Sequence, residues 1–255
     1  MGLNRAIILA AGLGTRLVDG AEIPKPLKPV CGVPLIVRIL RSLERGGVDE
    51  VGVIVGHLAE TLMEAVGAER LSLRLHFIQN DEYLKPNGTS LLKARDFVEG
   101  PTFVLMSDHL FAPALFESVA AFELEADEAV LGVDRRIDRC FDLEDATKVR
   151  LEGDRIVEIG KELHRYDALD TGIFRITPAL MEALAAADGP QGCSLSEGVA
   201  ALSARGKMRV ADTGTATWID VDTPRAHEIA ERLISRYGDD LAVPEGIAME
   251  TLLGS

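Results

Sequence analysis

A glycine-rich segment near the N-terminus combines small residues, which leave the backbone accessible, with positively charged side chains. Residues 9–17 read LAAGLGTRL, and Lys25 follows between two prolines. Small residues expose backbone N–H groups and let a phosphate or a base approach closely. Arg16 offers a planar set of donors for phosphate oxygens, and the flanking prolines stiffen the backbone that carries the Lys25 ammonium. These residue types predict a site for a phosphorylated nucleotide.

Two common phosphate-binding motifs do not fit this segment. A dinucleotide fingerprint would need glycine in place of Leu17 and a helix directly after it. A Walker A loop would need Gly-Lys-Ser or Gly-Lys-Thr, which is absent. A glycine-rich turn after a strand is also common without any nucleotide. Asp108 adds a second signal, because it follows an apolar run and acidic residues at strand ends lie at the ligand crevice of parallel sheets. Taken alone, Asp108 could equally cap a helix or form a turn.

Alternating strands and helices must position these residues. Apolar runs predict strands at 6–11, 51–55, 73–78 and 103–106, with helices from Pro34 and at 58–66, 90–98 and 113–122. Asn87 or Thr89 could cap the helix at 90–98. The second half predicts a hairpin at 147–151 and 155–159, strands at 172–176, 208–211 and 217–219, and helices at 178–187, 195–204 and 223–236. The alternation predicts an α/β fold whose parallel sheet carries helices on both faces.

Composition restricts the class of partner. The 255 residues carry 41 acidic and 27 basic side chains, a net charge of −14. This charge disfavours binding to nucleic acid or to an anionic membrane surface. Three distant cysteines without C-x-x-C, and five histidines without H-E-x-x-H, indicate neither a disulfide framework nor a zinc site. No apolar run matches a membrane span or a signal peptide, so we expect a cytoplasmic protein without membrane insertion.

The combined motifs resemble those of a known family. The segments AAGLGTRL at 10–17, PKPL at 24–27 and VCGVPLI at 30–36 resemble the signature of nucleotidyltransferases of the sugar-nucleotide pyrophosphorylase type, and the resemblance extends to about Ile234. It implies a Rossmann-like, mixed but mainly parallel sheet. It also places one group of residues by the nucleoside and another by the phosphates: Leu9, Ala10, Ala11 and Gly12, then Gly14, Thr15, Arg16 and Lys25.

The same resemblance assigns the base and the metal. The segment Asn87-Gly88-Thr89-Ser90, together with Asn80, would contact the base, and its form is closer to the cytidylyltransferase branch than to the uridylyl or thymidylyl branches. Asp108 and Asp220 match the aspartates that hold Mg²⁺, and Arg16, Lys25 and Asp108 would be catalytic. Asp222 stands where many relatives have glycine, so capping the last helix or supporting the site are its alternatives. No role is assigned to His109.

Three residues of the second half resemble acceptor-binding positions. Lys161 would hold the acceptor's phosphate and Asp170 its hydroxyls, whereas Lys148 is either a ligand or an exposed strand lysine. The set MSDH, DATKV and WIDVDTP is most similar to CTP:inositol-1-phosphate cytidylyltransferases. This similarity implies Mg²⁺-dependent transfer of CMP from CTP to inositol 1-phosphate. A sugar 1-phosphate, phosphocholine or another phosphorylated small molecule is the alternative acceptor, and a non-catalytic nucleotide-binding relative is the alternative class.

The resemblance also suggests an organisation. We expect one domain at 1–237, with a nucleotide-binding part at about 1–110, an elaborated acceptor-binding part at about 111–237 and a tail at 238–255. Family members often continue into a membrane-bound phosphotransferase domain; none follows here, so we expect a freestanding enzyme. By family habit it could form a homodimer through the second half.

The charge is distributed unevenly along the chain. Residues 1–48 carry seven basic and three acidic side chains, so the predicted phosphate loop lies in a basic stretch of an acidic protein. The net charge therefore does not exclude a small phosphate ligand bound together with a cation.

Overall fold

The fold is an α/β sandwich of a central sheet between two helical layers. A computed structural model describes residues 4–17 and 23–244. Over these residues the strands are β1 (Arg5–Leu9), β2 (Pro29–Val30), β3 (Val33–Pro34), β4 (Glu50–Val55), β5 (Arg74–Gln79), β6 (Thr102–Met106), β7 (His109–Phe111), β8 (Ala129–Asp134), β9 (Lys148–Glu152), β10 (Arg155–Gly160), β11 (Ala168–Ile176), β12 (Met208–Asp212) and β13 (Trp218–Asp220). The helices are α1 (Leu35–Arg45), α2 (Ala59–Gly67), α3 (Asn87–Leu92), α4 (Pro113–Ala120), α5 (Pro178–Ala187), α6 (Leu195–Ser203) and α7 (Pro224–Tyr237).

Nine strands form the main sheet in the order β5-β4-β1-β6-β11-β8-β12-β10-β9. The pairings give seven of them one direction, and only β11 and β10 run the other way. The predicted α/β fold with a mixed, mainly parallel sheet is therefore confirmed. β9 also pairs with β11, so the strands of the second half close into a ring beside the open parallel part.

Two apolar layers cover the sheet because side chains alternate along each strand. Ala6 and Ile8 of β1 face one layer, which contains the apolar sides of α1, α4 and α7. Ile7 and Leu9 face the other layer, which contains α5 and α6. Every strand of the parallel part except β5 is almost wholly buried, as expected where helices cover both faces.

The helix predicted at 90–98 was wrong in its bounds and in its cap. The helix α3 begins at Asn87 with Pro86 as its N-cap residue, ends at Leu92, and a short 3-10 turn follows at Arg95–Phe97. Neither Asn87 nor Thr89 caps it; Asn87 Oδ1 accepts from Leu195 N, and Thr89 Oγ1 accepts from Cys193 N. These side chains are used to attach α3 to the segment that leads into α6.

Several elements had no sequence prediction. The buried strand β8 lies between β11 and β12, and its short apolar run at 129–134 was left unassigned. The last described residues also pack onto the domain: Leu241 is buried, and Asp239 forms an ion pair with Arg38 of α1. The predicted tail beyond residue 244, and part of the long loop at 18–22, lie outside the described residues. Within the described ranges no helix is both long and apolar enough to cross a bilayer.

Candidate active site

The glycine-rich loop leaves the C-terminal end of β1 and is held by backbone hydrogen bonds. Ala10 N donates to Ile54 O and Ala11 O accepts from His57 N, at 3.0 and 3.1 Å. Gly14 has φ +63°, and a Cβ there would lie 2.3 Å from Lys25 Cβ. Gly14 is therefore required both by its backbone conformation and by the close approach of Lys25.

Lys25 is a buried cation placed between carboxylates. It lies in a 3-10 turn at Lys25–Leu27 that starts after Pro24. Its Nζ donates to Asp108 Oδ2 at 2.6 Å and also forms an ion pair with Asp222 Oδ1. Asp108 follows β6, so the rigid proline-flanked turn brings the loop cation to the end of a central strand.

Arg16 is the second cation of the loop, and it contacts two other carboxylates. Its Nη1 donates to Asp145 Oδ2 at 2.7 Å, and its Nη2 to Asp222 Oδ2. Asp222 therefore joins Arg16 and Lys25 through its two oxygens. Asp222 thus links the two cations of the loop. It does not cap α7, because Thr223 Oγ1 caps this helix by accepting from Ala226 N.

Asp108, His109 and Asp220 meet where β7 pairs with β13. The antiparallel register places His109 opposite Asp220. His109 Nδ1 lies 2.8 Å from Asp108 Oδ1 and 3.9 Å from Asp220 Oδ1, and its ring stacks on Trp218 with centroids 5.9 Å apart. Gly172 has φ +76° and packs so closely on this ring that a Cβ would lie 2.6 Å from His109 Cδ2.

Burial and neighbouring charges shift the pKa values of this group in opposite directions. Burial opposes ionisation of Asp108, but Lys25 and His109 outweigh it and hold the pKa of Asp108 well below its usual range. Burial also opposes a charged His109, but Asp220 and Asp108 raise the pKa of the imidazole to about 9. Burial and the neighbouring Asp108 raise the pKa of Asp220, although His109 acts against them.

These residues could hold a divalent cation. Ligand atoms of Asp108, His109 and Asp220 lie within 4.8 Å of one another, and so do those of Asp145, Asp220 and Asp222. Asp220 Oδ1 is buried without a hydrogen-bond partner, an unsatisfied acceptor that a cation would satisfy. Carboxylate oxygens are the ligands preferred by hard divalent ions. The donor set therefore fits the predicted pair of Asp108 and Asp220.

Two predicted acceptor residues, Lys161 and Asp170, line one cavity together with Arg16 and Asp108. Lys161 Nζ donates to Asp145 Oδ1 at 2.6 Å. Asp170 Oδ1 accepts from Gly172 N at 2.7 Å, and burial raises the pKa of Asp170 to about 6 although this hydrogen bond opposes the shift. Asp145 therefore lies between the predicted nucleotide and acceptor residues, a position that the sequence did not assign to it.

Lys148 differs from the other lysines. It is buried rather than exposed, which corrects its alternative interpretation as an exposed strand lysine. Its Nζ donates to three backbone carbonyls, at Glu144, Ala146 and Lys161. These contacts fix the loop that carries Asp145; contact of Lys148 with an acceptor stays a prediction.

The predicted base-binding segment is largely engaged with protein. Asn80 is fully buried and donates from Nδ2 to Ser90 Oγ at 2.8 Å. Thr89 Oγ1 donates to Asp188 at 3.0 Å. A Cβ at Gly88 would lie 2.6 Å from Cys193 O, so this glycine is required by packing between α3 and the following segment. Asn87 is the member of the segment that reaches the cavity.

One cavity of about 240 Å³ joins the polar residues. Six predicted site residues line it: Arg16, Asn87, Asp108, Lys161, Asp170 and Asp220. Lys25 donates to Asp108, Leu9 is the last residue of β1, and the loop that leads from it to Arg16 contains Ala10, Ala11, Gly12, Gly14 and Thr15. His109, Asp145, Asp222 and Trp218 also line the cavity. They belong to the segments MSDH, DATKV and WIDVDTP, which was the signal that the sequence offered for them.

Comparisons with known proteins place the chain in a family. The profile of the MobA-like NTP transferase domain family matches residues 6–144. A "Bifunctional IPC transferase and DIPP synthase" of Rubrobacter xylanophilus is 38% identical over 90% of this chain and 51% of its own length, so the chain spans about half of that relative. A CMP-5'-(3-aminopropyl)phosphonate synthase of Streptomyces rubellomurinus is 34% identical over 86% of this chain and 37% of its own length. The inositol-1-phosphate CTP transferase of T. maritima has a similar structure, with TM-score 0.77, 26% identity, and coverage of 97% of this chain and 99% of that chain.

Proposed function

This chain belongs to the nucleotidyltransferase family with a MobA-like NTP transferase domain, and on that premise we propose that it transfers CMP from CTP to inositol 1-phosphate and releases pyrophosphate. One observation carries the proposal. Arg16 and Lys161 lie on opposite sides of a single carboxylate, in the cavity that also contains Asp108 and Asp220. Cations suited to two different phosphate groups therefore converge beside a pair of metal-binding carboxylates.

The reaction needs little proton transfer. An oxygen of the acceptor phosphomonoester forms a bond to the α-phosphorus of CTP, and the bond from that phosphorus to the β-phosphate oxygen breaks. A phosphomonoester is largely dianionic at pH 7, so no strong general base is required. Catalysis then consists of positioning and of neutralising charge on the phosphates.

The loop cations would bind the nucleotide phosphates. Arg16 has its side chain about half exposed in the cavity, and its two ion pairs can be exchanged for phosphate oxygens. Lys25 is buried and fixed, so it stabilises negative charge at one place, on the leaving pyrophosphate. The loop residues from Leu9 to Thr15 would contribute backbone N–H groups and space for the nucleoside.

The second half would hold the acceptor. Lys161 is half exposed in the cavity and would pair with the acceptor's phosphate. Asp170 would accept hydrogen bonds from ring hydroxyls of inositol, since Gly172 N occupies one of its oxygens and the other oxygen is available. Asn87 lines the cavity and its Oδ1 accepts from Leu195 N, so its amide N–H₂ group would be the donor to the acceptor atoms O2 and N3 of cytosine.

Mg²⁺ is the proposed metal, held by Asp108 and Asp220. When bound, the ion would neutralise charge on the nucleotide phosphates and fix their orientation. The orphaned Asp220 Oδ1 and the low pKa of Asp108 support an ionised pair of ligands at this position. Lys25 would keep Asp108 in the correct orientation through its 2.6 Å hydrogen bond.

A nucleotide-by-acceptor panel tests the proposal. Pyrophosphate release would be measured with CTP, UTP, dTTP and ATP against inositol 1-phosphate, glucose 1-phosphate, phosphocholine and 2-aminoethylphosphonate, each with Mg²⁺. We expect CTP with inositol 1-phosphate to give the highest kcat/KM. A preference for 2-aminoethylphosphonate would indicate a phosphonate acceptor, as in the name of the Streptomyces rubellomurinus relative. If no combination of nucleotide and acceptor releases pyrophosphate, a non-catalytic relative is favoured. A homodimer and a cytoplasmic location stay part of the proposal; light scattering would measure the former.

A further inference from the structure

One carboxylate joins the two halves of the proposed site. Asp145 Oδ2 lies 2.7 Å from Arg16 Nη1, and Asp145 Oδ1 lies 2.6 Å from Lys161 Nζ. Arg16 belongs to the loop after β1, and Lys161 follows the end of β10. The two oxygens of Asp145 thus bind cations that come from opposite parts of the chain.

The position of this carboxylate is where reacting phosphates would meet. In-line transfer brings an acceptor oxygen into contact with the α-phosphorus, so the cations that hold the two substrates must converge there. A carboxylate that accepts from both cations presents two anionic oxygens in the same way as a phosphate. Substrate phosphates and the Asp145 carboxylate would therefore compete for the same donors.

Asp222 provides an informative contrast. It also contacts Arg16, but its other oxygen pairs with Lys25, and both of these cations belong to the nucleotide part. Among the residues that the structure describes, Asp145 is the carboxylate with ion pairs to both Arg16 and Lys161. Removal of Asp145 from this position would release Lys161 from this ion pair and leave Arg16 with its ion pair to Asp222.

We infer that Asp145 is a positioning residue that holds Arg16 and Lys161 until substrate phosphates displace it, and that this displacement couples the binding of the two substrates. The inference rests on the proposed function and adds that the binding of one substrate strengthens the binding of the other. Moving the carboxylate costs free energy once. The first substrate bears that cost, so the second binds more tightly than it would alone.

The loop around Asp145 is built to hold and to release it. Its side chain is about one-third exposed, so it can turn toward solvent without leaving a buried unpaired charge. The buried Lys148 ammonium binds the carbonyls of Glu144 and Ala146, which fixes the backbone on both sides. The carboxylate can therefore move while its loop stays in place.

Calorimetry on the full chain tests the inference. The dissociation constant of inositol 1-phosphate would be measured with and without α,β-methylene-CTP, in the presence of Mg²⁺. For the wild type we expect the nucleotide analogue to tighten acceptor binding by roughly 5- to 20-fold. D145N is an isosteric change that removes the charge, and in this variant each ligand alone should bind several-fold more tightly. The ratio of the two dissociation constants of inositol 1-phosphate, without and with the nucleotide analogue, should fall to about one.

A neighbouring acidic residue supplies the matched control. Glu144 is exposed and carries no ion pair in the described part of the chain, so E144Q removes the same charge from the same loop and should keep the wild-type ratio. Asp145→Ala is the second variant and should behave as D145N does. Thermal unfolding would verify that all variants are folded.

Two results would overturn the inference. One is an unchanged ratio in D145N; the other is weaker binding of the nucleotide analogue, which would make Asp145 a metal ligand together with Asp220 and Asp222. The proposed function is tested separately, because wild-type pyrophosphate release does not depend on this ratio. If the wild type is active and D145N keeps the wild-type ratio, only the inference about Asp145 is contradicted. If the wild type does not bind inositol 1-phosphate, both the inference and the proposed function are contradicted.

Discussion

The Lys25 ammonium and the Asp108 carboxylate form a nearly buried ion pair, with 2.6 Å between Nζ and Oδ2. Lys25 comes from a turn between two prolines and Asp108 from the end of β6, 83 residues later. The pair joins a cation suited to a leaving phosphate with a carboxylate suited to a metal. It also keeps Asp108 ionised, because Lys25 and His109 outweigh the burial of the carboxyl group.

Lys25→Met should abolish most activity without unfolding the protein. The change removes the fixed positive charge and leaves Asp108 and Asp222 without this partner. We expect kcat/KM for pyrophosphate release to fall by about 10²- to 10³-fold, the usual loss for one preorganised donor. Lys28→Met, in the same segment but without an ion pair in the described residues, should retain wild-type activity. Equal activity of the two variants would contradict a role for Lys25 in charge stabilisation.

Asp170→Asn should stabilise the protein at neutral pH and weaken acceptor binding. Burial raises the folded-state pKa of Asp170 to about 6, above its ordinary value of 3.8. The folded state then binds more protons than the unfolded state between pH 4 and 6, so this group lowers stability as pH rises through that window. At pH 7.5 the Asn variant should gain about 1–2 kcal/mol of unfolding free energy.

The gain in D170N should disappear at about pH 3, where the wild-type carboxyl is largely protonated in both the folded and the unfolded state. Urea unfolding at the two pH values measures it. The KM for the acceptor should rise in the same variant, while the KM for CTP stays constant. A variant that is less stable at pH 7.5 would show that Asp170 is not held in an unfavourable charged form.

Gly14→Ala should displace Lys25. A non-glycine residue at φ +63° costs about 1–2 kcal/mol, and the added Cβ would also lie 2.3 Å from Lys25 Cβ. We expect a lower melting temperature and a loss of activity similar to that of Lys25→Met. Gly12→Ala is the control for stability, since a Cβ there meets no atom within 4 Å. A melting temperature of G14A equal to that of G12A would contradict the proposed strain.

Much of the fold followed from local pattern. The first strands and helices were predicted within a few residues. Their apolar runs mark the residues that are buried in the two layers, and glycines mark the ends of the elements. β8 was missed although its run at 129–134 is as long as those of β4 and β5; its burial depends on β11 and β12, which lie far away in sequence. The bounds of α3 were wrong because Asn87 and Thr89 hydrogen-bond to residues more than 100 positions later.

The residues of the site also fall into those that local motifs predicted and those that depend on distant contacts. Arg16, Lys25, Asp108 and Asp220 could be predicted because they belong to motifs. Asp145 had no role of its own and Asp222 was left with two alternatives, since their contacts with Arg16 span 129 and 206 positions along the chain. Ion pairs between distant segments leave no signal in the local sequence pattern.

Leu241→Ala tests the packing of the C-terminal segment, which the sequence left without pattern. Leu241 is only 1% exposed and belongs to the apolar layer that contains α1 and α7. Truncation of a buried leucine costs about 2–5 kcal/mol, which urea unfolding would measure. Leu84→Ala is the matched control, because Leu84 is 76% exposed and its loss should change stability by less than about 0.5 kcal/mol. Equal stability of both variants would show that the segment does not pack onto the core.

Asp108 is the proposed ligand of the metal that makes phosphate transfer possible. Its role is measured by pyrophosphate release from CTP and inositol 1-phosphate with Mg²⁺, for the wild type, Asp108→Asn and the exposed control Asp212→Asn. We expect wild-type turnover in D212N and a loss of at least about 10³-fold in D108N, with both variants folded. Pyrophosphate release by folded D108N at a near wild-type rate would contradict this role.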